Sequence, residues 1–452
     1  MRLILTLFAG CVLAGAASAS PILDTNLPPL SRAEAIALAL RQNTAIRKGQ
    51  TDLRAAHGIQ VQLRSVIIPQ LTAGGSFNAE QSTLVGQFPP TPGFPINSFI
   101  QFPNKNWAAD VKVQESIYQG GRLLSSLRSA KLTRQQALQN YNTTVADTLL
   151  NVRVAYDDVL LAAQQIEVNE ASVKLLTHEA DDAQQRYDAG TAPQFNVLRA
   201  KVSLANQRPQ LIEAQNNFRI AKNNLVNLLG FDVPQNVWED IPLKLTDALE
   251  AAPLNMDLPV ALAHAVARRP ELAALRSALS LRREDLVAAK AGYKPTAQIF
   301  GGYEWQSYPY SENLAADLSG WTAGAQVSWN LFDGELTRGK VIEAQAHFER
   351  AQLDVEETRR NIELDVRTAY SNFIKAREVL DSQKTVQEEA EEALRQADVR
   401  LSAGTGTQLD VLDAQTALTQ ARTTQIQALH DYAVARARLQ RAAGDDMQIE
   451  GQ

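Results

Sequence analysis

The sequence predicts a mainly α-helical protein that also carries a membrane β-barrel and is built as a two-fold internal repeat. Three observations predict this fold. A fifteen-residue segment recurs 214 positions later in the 452-residue chain, two very long stretches have helical periodicity, and four short segments alternate between apolar and polar residues. Charged residues make up 21% of the chain and aromatic residues 6%, a composition that suits long helices.

The first 19 residues are typical of a secretory signal peptide. Arg2 supplies the positive charge, an apolar run follows, and Ala17 to Ala19 form a small-x-small cleavage pattern. We therefore expect the mature chain to start at Ser20 and to leave the cytoplasm. The only cysteine, Cys11, lies in this segment, so cleavage removes every thiol, and lipidation at Cys11 is the minor alternative.

Two copies of one unit make up the rest of the chain. Residues 186–200 and 400–414 are identical at eight of fifteen positions, and the same offset pairs Tyr156 with Tyr370. Near the start of each copy the offset becomes 226, because the first copy has twelve extra residues in a proline-rich segment. The predicted domains are a first repeat over 20–250 with an exposed loop at 82–104, a second repeat over 251–444, and a short tail over 445–452.

Each repeat is predicted to contain the same helices. Apolar or small residues that step by three and four predict two long coiled-coil helices, 122–188 and 335–402. Gly190 and Gly404 suit the left-handed C-caps that would end them. Capping boxes, Thr191 with Gln194 and Thr405 with Gln408, predict where returning helices begin. The remaining predicted helices are two opening helices of about forty residues, 31–68 and 259–293, and the returning helices 191–229 and 405–443.

Four strands in two hairpins, about 70–118 and 296–332, complete the prediction. In the clearest case, residues 321–331 alternate between Trp, Ala, Val or Leu on one face and small or polar residues on the other. Strands of about ten residues can cross a bilayer obliquely, and a membrane sheet has no open edge. Four strands are too few for a barrel, so closure requires two copies with eight strands or three with twelve. A small soluble sheet is the alternative interpretation.

Three local motifs match a known family. They are Ala403-Gly-Thr-Gly-Thr-Gln-Leu-Asp-Val-Leu-Asp-Ala414, the opening-helix segment at 31–40, and Arg-Pro-Glu-Leu at 269–272. With these motifs and the repeat order, the chain resembles the TolC-like outer-membrane efflux proteins. The resemblance implies a homotrimer with a twelve-stranded barrel and an α-helical tunnel, located in the outer membrane with most of the chain in the periplasm. The implied function is a passive exit duct of a tripartite efflux or type I secretion system. The implied partners are a periplasmic adaptor (membrane fusion) protein, an inner-membrane pump and outer-membrane lipid.

The same resemblance implies two groups of functional residues. Asp410 and Asp413 match the family's acidic ring at the periplasmic constriction, and three residues apart on a helix they share a face. A ring of this kind attracts cations and discriminates against anions. From spacing alone, two solvated acids favoured near a helix N-terminus are the simpler interpretation. The exposed turns are candidate tips for docking the adaptor, and they comprise Ala189, Gly190, Thr191, Ala403, Gly404 and Thr405.

Three positions depart from the family's pattern for closing the tip. Leu401 and Gly406 stand where relatives have a tyrosine and an arginine, and Asn196 replaces the expected acidic partner. We therefore expect weaker or different closure in this chain.

Other classes of protein fit the sequence less well. The five histidines lie singly on predicted helices, and no phosphate-binding loop or nucleophile elbow occurs, so we predict no catalytic, cofactor or metal site and no enzyme. A net charge of −6 without a basic tract argues against nucleic acid as a partner. The remaining alternative is a periplasmic coiled-coil adaptor or tether, which would need one helical hairpin flanked by compact β domains.

Overall fold

The computed structural model describes residues 29–81, 84–85, 103–232, 241–310 and 313–445. The predicted signal peptide with Cys11, most of the loop at 82–104 and the tail after residue 445 lie outside these ranges. Among the described helices, none has an apolar stretch long enough to cross a membrane.

The described ranges form eight α-helices and four strands. The helices are α1 (Arg32–Gln42), α2 (Thr44–Arg64), α3 (Arg122–Asp188), α4 (Gln194–Leu229), α5 (Leu258–Arg268), α6 (Pro270–Lys290), α7 (Leu336–Ser402) and α8 (Gln408–Ala443). The strands are β1 (Gln70–Ala79), β2 (Lys105–Gln119), β3 (Thr296–Ser307) and β4 (Asp317–Ser328).

The internal repeat is confirmed by the positions of these elements. Both bounds of α3 and α4 recur 214 residues later in α7 and α8, and those of α1 and α2 recur 226 residues later in α5 and α6. The backbone repeats as well, because Gly190 and Gly404 have φ angles of 71° and 73°, and Gly230 and Gly444 have 82° and 75°. These left-handed angles favour glycine and end the helices at corresponding places.

The prediction of an unbroken opening helix in each repeat is wrong. In the first repeat the helix is interrupted at Asn43, whose Oδ1 accepts a hydrogen bond from the Ala45 amide at 2.8 Å and restarts the helix as α2. In the second repeat the break falls at Arg269, where the following Pro270 disfavours helical backbone. A polar cap and a proline therefore produce the same break by different means.

The predicted starts of the returning helices are also wrong, since α4 and α8 begin three residues later than 191 and 405. The hydroxyls of Thr191 and Thr405 donate to carbonyls of the preceding helices, at 2.9 and 3.3 Å, and do not cap the following ones. The N-cap of α4 is Pro193, and that of α8 is Thr407. The long helix α7 starts one residue later than predicted, because Glu335 has a φ of 68°.

The chain divides into two compact units, and each draws segments from both repeats. The described part of the first unit comprises 29–49, 143–232, 241–269 and 362–445. Its largest apolar cluster surrounds the fully buried Tyr156, whose hydroxyl donates to the Leu30 carbonyl at 2.9 Å. A second cluster surrounds Phe373 and Tyr432, whose ring centroids are 5.4 Å apart. The core of this unit is therefore formed between packed helices.

The second unit contains the sheet. Its described residues are 50–81, 84–85, 103–142, 270–310 and 313–361. The strands form one antiparallel sheet in the order β1-β2-β3-β4, with a β-bulge in β2 between Ser116 and Tyr118. The two predicted hairpins are thus neighbours in one sheet, and they end at residues 119 and 328.

Candidate functional site: helix turns, acidic residues and sheet

The six residues predicted as docking tips are exposed in two turns of the same design. In the first turn, the amide and the hydroxyl of Thr191 both donate to the Arg186 carbonyl at 2.9 Å. In the second, the amides of Thr405 and Gly406 both donate to the Arg400 carbonyl at 2.9 Å. These bonds satisfy carbonyls that the helix end leaves free. Each turn is therefore ordered by its own backbone and still presents its surface outward.

Asp410 lies in the first turn of α8 and completes a capping box. Its Oδ2 accepts hydrogen bonds from the backbone amide of Thr407 at 2.8 Å and from the hydroxyl of Thr407 at 2.9 Å. The backbone bond and then the side-chain bond from Thr407 lower the pKa of Asp410 below its ordinary value. Asp410 is exposed, and its carboxylate stays charged to a more acidic pH than a free aspartate.

Asp413 is also exposed, one helical turn after Asp410. The opposite side of α8 is buried, and on it Val411 and Leu418 pack against Leu394 and Ala397 of α7. The apolar contacts fix which side of α8 faces solvent, and both carboxylates lie on that side. One copy of the chain thus presents two acidic groups, as the prediction of an acidic ring requires.

The start of α8 is also attached to α3, which sequence reasoning did not anticipate. Gln408 donates from Nε2 to Oε2 of Glu179 at 2.6 Å, and both side chains are buried. Burial raises the pKa of Glu179, the bond from Gln408 lowers it, and the nearby Asp398 and Asp182 raise it again, with a net increase. The two residues are 229 positions apart, so no local pattern marks the pair.

The positions that depart from the family's closure pattern have structural roles of their own. Leu401 packs against the cluster that contains Val411 and Leu418. A Cβ atom on Gly406 would lie 2.9 Å from the Arg400 Cβ and 3.1 Å from the Leu401 amide nitrogen. The turn after α7 therefore has no room for a larger side chain at position 406.

The sheet has one apolar face, defined by residues that are paired across the strands. The face consists of Leu71, Ala73, Gly75 and Phe77 on β1, Trp107, Ala109, Val111 and Val113 on β2, Ile299, Gly301, Tyr303 and Trp305 on β3, and Trp321, Ala323, Ala325 and Val327 on β4. Near its edge Glu115 pairs with Ile299 on the same side. Much of it is exposed, with Trp321 at 78% and Val327 at 71%. Such a surface requires an apolar environment or a partner.

The other face of the sheet is mostly polar, although Phe300 and Leu318 also lie on it. Gln114, Gln298 and Gln326 form a hydrogen-bonded row across three strands, with side-chain distances of 2.7 and 3.0 Å. On the same face, Lys112 and Asp110 form an ion pair at 3.4 Å. The two faces therefore differ as the wall of a water-filled barrel would, with lipid on one side and water on the other.

A model of the outer membrane efflux protein family matches residues 35–231 and 261–445. The chain is 25% identical to the outer membrane protein TolC of Vibrio cholerae over 391 residues, which cover 85% of this chain and 87% of the relative. It is 24% identical to TolC of Escherichia coli over 432 residues, with 92% and 83% coverage. In three dimensions it is similar to the Campylobacter jejuni CmeC outer membrane channel, with a TM-score of 0.79 and 13% identity over 93% of this chain and 87% of that one.

Proposed function

The chain belongs to the family of outer membrane efflux proteins, and on that premise we propose that three copies of it form one passive duct across the periplasm and the outer membrane. In this proposal the duct is the exit channel of a tripartite efflux or type I secretion system. A periplasmic adaptor docks at the exposed helix turns, and an inner-membrane pump supplies the energy and selects the cargo. Most of the chain lies in the periplasm.

The sheet is the observation that carries this proposal. Its two outer strands, β1 and β4, each pair with a single neighbour among the described strands, so each leaves one row of backbone hydrogen-bonding groups free. Unpaired backbone groups are costly in hydrocarbon, and a membrane sheet must close. Joining β4 of one copy to β1 of the next closes the sheet, and three copies supply twelve strands. The apolar face then contacts lipid and the polar face lines the lumen.

The acidic residues of α8 give the duct its proposed selectivity. Three copies contribute six carboxylates from Asp410 and Asp413 to one ring, which attracts cations and repels anions. The lowered pKa of Asp410 favours the charged form. Because Asp410 also completes the capping box, its structural role and its proposed role in the pore coexist in one side chain.

Single-channel recording in planar bilayers tests the proposal. The variant Asp410→Asn with Asp413→Asn removes both charges and keeps an acceptor oxygen for the capping box. We expect wild-type trimers to conduct with a preference for cations and this variant to lose the preference. The control, Glu388→Gln with Glu389→Gln, removes two exposed charges from α7 and should leave the preference intact.

The possible outcomes separate the two parts of the proposal. Conduction with an unchanged preference in the Asp410→Asn, Asp413→Asn variant would refute the acidic ring and leave the duct. A wild type that folds and oligomerises but forms no reproducible pore would refute the duct and favour the coiled-coil tether.

A further inference from the structure

The two returning helices begin at equivalent positions of the repeat but are held differently. At the start of α8, Thr407 and Asp410 form a capping box, and the buried Gln408 bonds to Glu179. At the start of α4, the N-cap is Pro193, which makes no side-chain capping bond in the described part of the chain. The equivalents of Gln408 and Asp410 are Gln194, which is exposed, and Asn196.

The difference originates on the long helices. Glu179 of α3 corresponds to Ala393 of α7 in the second repeat. Only the first repeat therefore has a carboxylate at this position. Glu179 is 8% exposed and Gln408 is 6% exposed. A buried carboxylate requires a hydrogen-bond donor, and the amide of Gln408 supplies one from the first residue of α8 at 2.6 Å. The bond therefore connects the long helix of the first repeat to the returning helix of the second.

We propose that Glu179 is a positioning residue for the pore, because its bond to Gln408 holds the first turn of α8 against α3 and so sets the location of the Asp410 and Asp413 carboxylates. This inference rests on the proposed channel function. Asp410 follows Gln408 by two residues within the same helical turn, so a displacement of Gln408 moves Asp410 with it.

A double-mutant cycle with reciprocal exchange tests the proposal. Glu179→Ala and Gln408→Ala each remove one partner, and Glu179→Gln with Gln408→Glu exchanges the two groups and restores the bond in the reverse direction. The exchanged carboxylate lies at a helix N-terminus, where negative charge is favoured. The matched control is Gln194→Ala, the exposed counterpart of Gln408 in the first repeat.

The measurement is the ratio of cation to anion permeability of single channels, recorded for variants that purify as folded trimers. Loss of a hydrogen bond to a charged group should shift the equilibrium between the attached and the displaced first turn of α8 by about 10- to 100-fold. We expect both alanine variants to lower the permeability ratio toward one, and the double alanine variant to lower it no further than either. The exchanged variant should restore the wild-type ratio, and Gln194→Ala should leave it unchanged.

Permeability ratios that stay at the wild-type value in both alanine variants would overturn the proposal. So would an exchanged variant whose permeability ratio is as low as that of the single alanine variants. If the alanine variants do not form trimers, the exchanged variant still tests the proposal, because it keeps the hydrogen bond and moves the charge from α3 to α8. A wild-type permeability ratio in that variant supports the proposal, and a ratio near one overturns it. If the wild-type protein itself does not conduct, the proposed channel function is wrong, whatever the variants do.

Discussion

The imidazole of His430 on α8 places Nε2 2.7 Å from a carboxylate oxygen of Asp158 on α3, and Nδ1 3.3 Å from Asp431. Asp157, which pairs with Arg32 at 2.6 Å, lies beside this group and interacts with the imidazole through its charge. The histidine is 9% exposed. The imidazole of His430 thus connects a helix of the first repeat to a helix of the second, as the Glu179–Gln408 bond does nearer the turn.

His430 makes the stability of the first unit depend on pH. Burial lowers the pKa of His430, but the hydrogen bonds and charges of Asp158 and Asp431 raise it more, so that the net pKa lies above the ordinary value. The charged form is therefore stabilised by folding, and this contribution is complete below the ordinary histidine pKa of about 6.5. It is lost as the pH rises through the raised pKa of the folded state.

We predict that thermal unfolding of the helices, followed by circular dichroism in detergent, occurs at lower temperature as the pH rises from about 6 to 8. The variant His430→Gln should abolish this dependence. His347 provides the control, because it is exposed and lies 3.7 Å from Glu343 on the same helix. A pH dependence that survives in His430→Gln but disappears in His347→Gln would contradict the assignment.

The capping box at the start of α8 gives a second prediction. Thr407→Val keeps the shape of the side chain but removes the hydroxyl that interacts with Asp410, and it should lower the free energy of unfolding by about 1 kcal/mol. The pKa of Asp410 should rise toward its ordinary value, so the cation preference should disappear at a higher pH than in the wild type. Thr177→Val, on an exposed position inside α3, is the control and should change neither quantity. Equal stabilities of the two variants would rule out the cap as a stabilising contact.

Much of the fold could be predicted because its signals are local. A glycine directly after a helical pattern favours a left-handed C-cap, so Gly190 and Gly404 located the ends of the long helices. Alternation along a strand directly indicates its two faces, and the register of the sheet places Trp321 and Trp107 on the predicted apolar side. Because the unit occurs twice in the chain, each of these signals could be read at two equivalent positions.

The contacts at the site could not be predicted, because they depend on residues distant in sequence. Glu179 and Gln408 are 229 positions apart, and Asp158 and His430 are 272 apart. A charged residue on a helix has the same local pattern whether it is solvated or buried. The capping error has another cause, since Thr405 and Thr407 have the same preference for an N-cap, and the turn at Gly404 directs the Thr405 hydroxyl to the preceding helix.

A third prediction concerns the turn after α7. Gly406→Ala places a methyl group 3.1 Å from the Leu401 amide nitrogen, a backbone atom that cannot move independently, and overpacking of this kind costs about 1–3 kcal/mol. The midpoint of urea unfolding should fall accordingly. Gly339→Ala is the matched control, because its added methyl group meets nothing within 4 Å inside α7. That control should be neutral or more stable by up to about 1 kcal/mol. A Gly406→Ala variant as stable as Gly339→Ala would show that the turn can relax.

The last prediction uses two neighbouring residues of β4 that face opposite sides of the sheet. Ala323 pairs with Gly301 on the apolar face, and Thr322 pairs with Gly302 on the polar face. If the apolar face contacts lipid, Ala323→Arg should destabilise the barrel by about 2–4 kcal/mol, because arginine is costly near the bilayer midplane. Thr322→Arg should fold normally, since its side chain enters water.

Refolding into lipid vesicles, measured by the fraction of trimers that resist protease, distinguishes the two variants. Equal yields for both variants would contradict a lipid-facing sheet, and a larger defect in Thr322→Arg would reverse the assignment of the two faces.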